Sequence, residues 1–74
     1  MATPKPTHLR SVLARNVRQA RREREWSQEQ LAERAGLSSV YVSQIESGLK
    51  ACSIDVIEAL SLAFGLSAME LLRA

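Results

Sequence analysis

The sequence predicts an all-α fold, a compact bundle of about five short helices. Alanine, leucine, arginine, glutamate and glutamine, which favour helices, are abundant among its 74 residues. Aromatic residues, which are enriched in strands, make up only 4% of the chain. Apolar residues recur at helical spacing, with serines and glycines at the expected helix ends. A single domain at 8–74, preceded by a flexible lead at 1–7, fits this length and pattern.

The first predicted helix runs from Leu9 to about Glu25. One apolar stripe is formed by Leu9, Val12, Leu13, Val17 and Ala20. Another face carries Arg15, Arg18 and Arg22. Arg21 is different, because it lies on the apolar stripe one turn beyond Val17. A guanidinium that points inward requires a carboxylate partner.

Serines and glycines predict the bounds of the remaining helices. The four serines that precede apolar runs, and therefore qualify as N-caps, are Ser27, Ser38, Ser53 and Ser67. Gln30 lies three residues after Ser27 and completes a capping box. The residues expected to end helices two, three and four are Gly36, Gly48 and Gly65. Helix two then ends near Ala35, and helix three covers about 38–47.

The segment 28–47 has the pattern of a helix-turn-helix. Ala32 and Gly36 are small residues at the point where the two helices approach. Apolar residues that would fix the angle are Leu31, Leu37, Val42 and Ile45. A helical hairpin that only packs would explain these residues equally well. It would not explain the short polar side chains on the outer face of helix three, which are Ser39, Ser43, Gln44 and Ser47.

The sequence from Ser27 to Ser38 (SQEQLAERAGLS), followed by YVSQIESG at 41–48, resembles the lambda-repressor/Cro-like (XRE) helix-turn-helix family. The similarity covers nearly everything after residue 8. Arg18 and Arg21 match the basic pair on that family's first helix. Two segments depart from the pattern: 24–26 (REW) stands where a glycine is frequent, and 51–53 (ACS) where a proline is frequent.

The resemblance implies a sequence-specific regulator of transcription that binds double-stranded DNA with helix three in the major groove. It places Ser39, Val40 and Gln44 at base-reading positions, with Ser43 exposed beside them. Gln44 is the strongest candidate, because an amide donates and accepts together and so suits adenine N6 and N7. Val40 can pack on a thymine methyl group. Ser39 can pair with any base and therefore discriminates weakly.

Phosphate contacts are expected at the edge of the same surface. Gln28 matches the glutamine that opens helix two against a phosphate in this family, near free N–H groups and the positive end of the helix dipole. The other candidates are Ser38, Tyr41, Ser47 and Lys50. Tyr41 can instead be a half-buried packing residue, and the sequence leaves both roles open.

Arg21 and Glu46 stand where this family places a buried ion pair between helix one and the end of helix three. Glu46 is next to the inward Ile45, so the two charges can meet. The resemblance also implies a homodimer on a palindromic operator. Its contact could be formed by an exposed apolar patch of Leu66, Met69, Leu72 and the ends of helix four, although these could equally close the core.

Composition excludes several other classes of protein. With one histidine (His8), one cysteine (Cys52) and no glycine-rich phosphate loop, we expect no enzyme, metal site or cofactor. No apolar stretch reaches membrane-spanning length, and we expect no signal peptide and a cytoplasmic location. Residues 1–24 carry seven basic and one acidic side chains, against three and seven at 25–74. This asymmetry fits either a protein oriented on a polyanion or a solvated basic face.

Three kinds of function therefore remain open at this stage. The first is a free-standing regulator, such as a phage repressor-like protein or a restriction-modification controller protein. The second is an antitoxin, in which the same fold also binds a partner protein. The third is a protein-interaction module without DNA binding.

Overall fold

The computed structural model describes residues 7–74, and in that range it contains five helices and no strand. The helices are α1 (Thr7–Glu23), α2 (Gln28–Ala35), α3 (Ser39–Glu46), α4 (Ile54–Phe64) and α5 (Ala68–Leu71). The predicted all-α class is confirmed. Of the expected lead at 1–7, Thr7 opens α1, and the other six residues lie outside the described range. No helix between residues 7 and 74 has the length and apolar character needed to cross a membrane.

Each of the helices α2 to α5 begins at a serine N-cap, as predicted. The hydroxyl oxygen of Ser27 accepts a hydrogen bond from the backbone N–H of Gln30, whose side chain accepts from the Ser27 N–H in return. The other serines that accept from the N–H three residues later are Ser38, Ser53 and Ser67. Because the first N–H groups of a helix have no partner within it, these caps determine where each helix starts.

Helices α2, α3 and α4 end at the predicted glycines, and α1 ends two residues before the predicted position. Gly36 and Gly65 close α2 and α4 in the left-handed conformation, with φ of 70° and 71°. Helix α3 ends at the cap Ser47, directly before Gly48, and α5 ends at Leu71, with Leu72 as its cap. The predicted end of α1 near Glu25 was wrong. The helix stops at Glu23, because residue 25 itself turns left-handed with φ of 57°.

The hydrophobic core is built from buried side chains of all five helices. Its fully buried large side chains are Leu31, Ile45, Leu60, Leu71, Val17 and Val42. Four predicted stripe positions of α1 are buried, namely Val12, Leu13, Val17 and Ala20. Leu9 is an exception and is exposed. It lies in the first turn of α1 and lines a surface groove with Cys52 and Ile57 instead of entering the core.

Polar side chains of α1 and the turn after it close the C-terminal ends of the other helices. Arg18 donates to the carbonyl of Glu46 at the end of α3, and Arg24 Nη2 donates to the carbonyl of Phe64 at the end of α4 (2.7 Å). Asn16 Nδ2 donates to the carbonyl of Leu71 at the end of α5 (2.7 Å). These carbonyls have no partner within their helices and carry the negative end of the helix dipole. Part of the basic excess in residues 1–24 is therefore structural.

Trp26 lies at the edge of the core, where it follows the left-handed turn. Its ring stacks on Phe64 with 5.8 Å between centroids and 11° between planes. The guanidinium carbon of Arg34 lies 4.4 Å from the centre of the Trp26 ring, and that of Arg24 lies 5.1 Å from the centre of the Phe64 ring. The stack and its cations fix the chain between α1 and α2, so the start of α2 is held against the end of α4.

Replacing Glu25 with glycine will stabilise the domain, because only glycine adopts a left-handed backbone without steric cost. We expect Glu25→Gly to raise the free energy of unfolding by about 0.5–1 kcal/mol, measured by chemical denaturation. Glu25→Ala is the control, since it removes the same carboxylate but keeps Cβ, and it should give no gain. If both variants raised the free energy of unfolding equally, the cause would be loss of the Glu25 carboxylate and not relief of backbone strain.

Candidate nucleic-acid interface

Helices α2 and α3 form the helix-turn-helix, with the turn at 36–38. The N–H of Leu37 donates to the carbonyl of Ala32 (2.8 Å), which closes the end of α2. Leu31 of α2 and Val42 and Ile45 of α3 are fully buried. Because the inner face of α3 packs in the core through Val42 and Ile45, the orientation of its outer face toward solvent is fixed.

The outward face of α3 carries the predicted base-contacting residues. Val40, Ser43 and Gln44 are exposed, and Ser39 is half-buried. An open cleft of about 680 Å³ separates this face from the start of α2 and is lined by Arg21, Ser27, Gln28, Glu29, Ser39, Val40 and Ser43. Gln44 lies outside the cleft, and its amide has no hydrogen-bond partner within residues 7–74. The amide is therefore available to a ligand as both donor and acceptor.

The predicted phosphate contacts surround this face, and two of their hydroxyl groups already have roles within the chain. Ser38 Oγ accepts from the N–H of Tyr41 (3.0 Å), which leaves its own proton free. Ser47 Oγ donates to the carbonyl of Gln44 at 2.6 Å, so its proton would have to change partner to reach a phosphate. Tyr41 is half-buried and packs against the core, and the ammonium nitrogen of Lys50 lies 5.3 Å from the centre of its ring. Lys50 is exposed.

The carboxylate of Glu46 is buried beneath the interface, and the structure brings it together with Arg21. Arg21 Nε donates to Oε2 at 2.6 Å, and Arg21 Nη2 donates to Oε1 at 2.9 Å. The two side chains are 14% and 4% exposed, with Arg21 the more accessible. Arg21 Nη1 also donates to the carbonyl of Trp26 (2.8 Å). The pKa of the guanidinium is raised, first because it hydrogen-bonds to Glu46 and further by the charge attraction, whereas burial acts against it.

Two further contacts of Glu46 were missed by the sequence analysis. Gln28 Nε2 donates to Oε1 at 3.2 Å, and Arg18 donates to the backbone carbonyl. Both residues were identified in the sequence, Gln28 for a phosphate and Arg18 as one of the basic pair. Their partners lie 18 and 28 residues away along the chain, so no local pattern connects them.

A second surface on α4 and α5 exposes apolar side chains. Ile54 and Leu62 are 83% and 76% exposed, and Met69 is also exposed. Of the predicted dimer residues, Leu66 and Leu72 are half-buried and pack against the core. Ile54 and Leu62 lie towards the two ends of α4, where the sequence suggested exposed apolar surface without identifying the residues. The available signal was that α4 has apolar residues around its whole circumference, which indicates a helix covered on more than one side.

The family model described as "Helix-turn-helix" matches residues 17–71, which is more than half of the chain. The chain belongs to the helix-turn-helix family. The resemblance on which the sequence analysis depended is therefore confirmed. The matched range includes the Arg21–Glu46 pair, both helices of the motif and all of α5.

The helix-turn-helix chain is similar to a curated protein of Neisseria meningitidis serogroup B described as a Neisseria hypothetical transcription factor. The two are 41% identical over 69 residues, or 93% of this chain and 65% of the relative. This chain thus spans just under two thirds of that relative's length.

Solved structures show the same fold. The crystal structure of the hypothetical transcription factor NHTF from Neisseria matches with a TM-score of 0.85 and 39% identity, over 97% of this chain and 83% of that one. The restriction-modification controller protein C.AhdI from Aeromonas hydrophila matches with a TM-score of 0.81 and 31% identity, over 84% of this chain and 94% of that one. The N-terminal DNA binding domain of SinR from Bacillus subtilis matches with a TM-score of 0.81 and 32% identity, over 86% of this chain and 94% of that one.

The two departures from the family's pattern have local structural counterparts in this helix-turn-helix chain. Glu25 takes the left-handed conformation in the turn where the family often has a glycine. Cys52 lies in the linker where the family often has a proline; it is half-buried and packs against the core. Burial raises the pKa of its thiol, although Lys50 and Arg10 oppose the shift. Among residues 7–74, no cluster of side chains is suited to holding a metal ion.

Removing Arg21 will strongly destabilise the domain, because the Glu46 carboxylate would stay buried without its charge partner. We expect Arg21→Ala to lower the free energy of unfolding by about 3–5 kcal/mol in chemical denaturation. Arg22→Ala is the matched control, an exposed neighbour whose loss should change stability by less than about 0.5 kcal/mol. The double variant Arg21→Met with Glu46→Leu should recover much of the loss. Identical denaturation midpoints for Arg21→Ala and wild type would contradict a stabilising role for the pair.

Proposed function

We propose that this chain is a sequence-specific regulator of transcription that binds double-stranded DNA, with α3 in the major groove. The observation that carries the proposal is the outward face of α3, where the Gln44 amide, without a hydrogen-bond partner in residues 7–74, lies beside exposed Val40 and Ser43. A helix held rigidly on its inner face and polar on its outer face suits the major groove, which admits one α-helix.

Base contacts in this proposal come from Ser39, Val40, Ser43 and Gln44. The amide of Gln44 can donate to N7 and accept from N6 of one adenine. Val40 contributes apolar contact with a thymine methyl group, and the serine hydroxyls pair with less discrimination. An A·T pair opposite Gln44 therefore contributes most of the sequence preference.

Phosphate contacts in this proposal come from Gln28, Ser38, Tyr41, Ser47 and Lys50. Gln28 and Ser38 are at the N-terminal ends of α2 and α3, where free N–H groups favour anions. Lys50 is the only member of this set with a formal charge, so it contributes most of the set's salt dependence. These contacts set the orientation of α3 in the groove and carry no sequence information themselves.

A homodimer fits this function, because a single recognition helix reads few base pairs. Ile54, Leu62 and Met69 expose apolar surface on α4 and α5, and Leu72 lines a groove of about 400 Å³ with Ile54 and Leu62. Two copies joined here would present two α3 helices to a palindromic operator with half-sites roughly 34 Å apart. Such a protein acts on the chromosome, so we place it in the cytoplasm.

The names of the relatives support regulation and not catalysis. They include a hypothetical transcription factor, a restriction-modification controller protein and a DNA binding domain. The controller protein also makes control of a restriction-modification system a concrete candidate role for this chain.

Gln44→Ala will reduce affinity for the preferred site by about fivefold or more, because one bidentate base contact is worth about 1–3 kcal/mol. The site is first selected from random duplexes with wild-type protein. Affinity for that site and for an unrelated duplex is then measured by gel shift at two salt concentrations. Gln19→Ala is the control, because it removes an exposed glutamine from α1 instead of α3.

The same titration tests the proposal as a whole. We expect wild type to protect a palindromic site, and Gln44→Ala to weaken specific binding while leaving non-specific binding unchanged. Weak binding without sequence preference, equal in both proteins, would overturn the assignment of α3 and favour a protein-interaction module.

Leu62→Glu will shift the proposed dimer to monomer, because it places a charge in the exposed apolar surface of α4. Sedimentation equilibrium over a range of concentrations measures the effect, and the dissociation constant should rise by at least about tenfold. Leu49→Glu is the matched control, since Leu49 is 82% exposed but lies in the linker before α4. Wild type that is monomeric at all concentrations, or equal weakening by both variants, would exclude this surface as the interface.

A further inference from the structure

The amide of Gln28 has a defined orientation, although an amide is nearly symmetrical in shape. Its Nε2 lies 3.2 Å from Glu46 Oε1. A carboxylate oxygen only accepts hydrogen bonds, so the amide must turn its nitrogen, and not its oxygen, toward Glu46. The same Oε1 accepts from Arg21 Nη2 at 2.9 Å, which holds the carboxylate in place. Arg21 thus fixes Glu46, and Glu46 fixes the side chain of Gln28.

The unused part of this amide borders the candidate interface. Gln28 is the first residue of α2, is half-buried, and lines the open cleft with Ser39 and Val40 of α3. One N–H of Nε2 is used by Glu46, which leaves the second N–H and the carbonyl oxygen. The amide can therefore still donate to a DNA backbone oxygen without breaking its bond to Glu46.

We propose that Glu46 is a positioning residue for DNA binding, which orients the Gln28 amide for its contact with the backbone. The inference rests on the proposed function, and it gives the buried ion pair a second role besides joining α1 to α3. Without the carboxylate, the amide can rotate by half a turn at little steric cost. Its carbonyl oxygen would then face the phosphate in part of the population, and two acceptors cannot form a hydrogen bond.

A role of Glu46 that was only structural would have different consequences. It would lower stability and would weaken DNA binding only through the unfolded fraction. It would also act on affinity independently of the residue at position 28. The two roles are therefore separated by whether the effect of changing Glu46 on affinity requires Gln28.

A double-mutant cycle makes this measurement with Glu46→Gln, Gln28→Met and the combined variant, on the selected DNA site, where each protein is folded. Glu46→Gln leaves one acceptor oxygen where the carboxylate has two, so Arg21 and Gln28 compete for it and the amide of Gln28 is no longer held in one orientation. We expect Gln28→Met to weaken binding by about tenfold or more, the range of one hydrogen bond to a charged group, and Glu46→Gln by about threefold or more, because it reverses the amide in only part of the population. In the Gln28→Met background, Glu46→Gln should weaken DNA binding by less than about twofold. The proposal would be overturned if Glu46→Gln weakened DNA binding by the same factor with Gln28 present as with Gln28→Met.

Ile45→Val is the matched control for stability, because it loosens the buried neighbour of Glu46 without touching Gln28. It should lower the melting temperature and leave affinity unchanged. Failure of the proposed function has a separate signature, because wild type would then show no sequence preference. In that event the positioning role is overturned with it.

The side-chain amide of Gln28 can also be observed directly in wild type, which requires no variant to fold. In ¹H–¹⁵N spectra, its amide protons should exchange slowly and resonate apart from those of Gln44, which is exposed and has no partner in the described chain. Addition of the selected DNA should shift the Gln28 amide resonances further without making their protons exchange faster with solvent. Gln28 resonances that coincide with those of Gln44 in free protein would overturn the proposal.

Discussion

A single buried carboxylate determines how the helices of this domain are arranged. Transferring the charge of Glu46 out of water costs several kcal/mol, and this cost is offset only if the group is fully paired. Arg21 provides two hydrogen bonds from α1, and Gln28 provides one from the start of α2. The carboxylate stays satisfied only while three helices keep their positions. A small core of short helices thereby gains a specific arrangement that apolar packing alone would leave looser.

The charge asymmetry of the chain has the same structural logic. Side chains of α1 and its following turn reach the C-terminal carbonyls of α3, α4 and α5, where unpaired acceptors and the dipole attract donors. Neither interpretation of the basic N-terminal third in the sequence included this role. Part of the basic charge in residues 1–24 therefore serves contacts within the domain, namely those of Arg18 and Arg24 with the ends of α3 and α4.

The features that could be predicted from the sequence are those encoded locally. Serine caps, the glycine at the end of α2 and the apolar stripes depend on residues three or four apart, so they were assigned correctly. The Arg21–Glu46 pair was found because a charge on an apolar stripe is anomalous and the family pattern supplied its partner. The Gln28–Glu46 bond and the exposure of Ile54 depend on how distant segments meet. Helical periodicity does not contain that information, and it also placed Leu9 inward.

The shared dependence of α3 and α5 on α1 has a consequence for how this domain can evolve. Arg18 and Arg21 contact the end of α3, and Asn16, within one turn of Arg18, contacts the end of α5. Helix α5 has only four residues, too few to persist without such support. The proposed DNA-contacting surface on α3 and the part of the proposed dimer surface on α5 are therefore both held by one stretch of α1. A substitution there moves both together, so operator sequence and half-site spacing can diverge independently only through changes on the outer faces of α3 and α4.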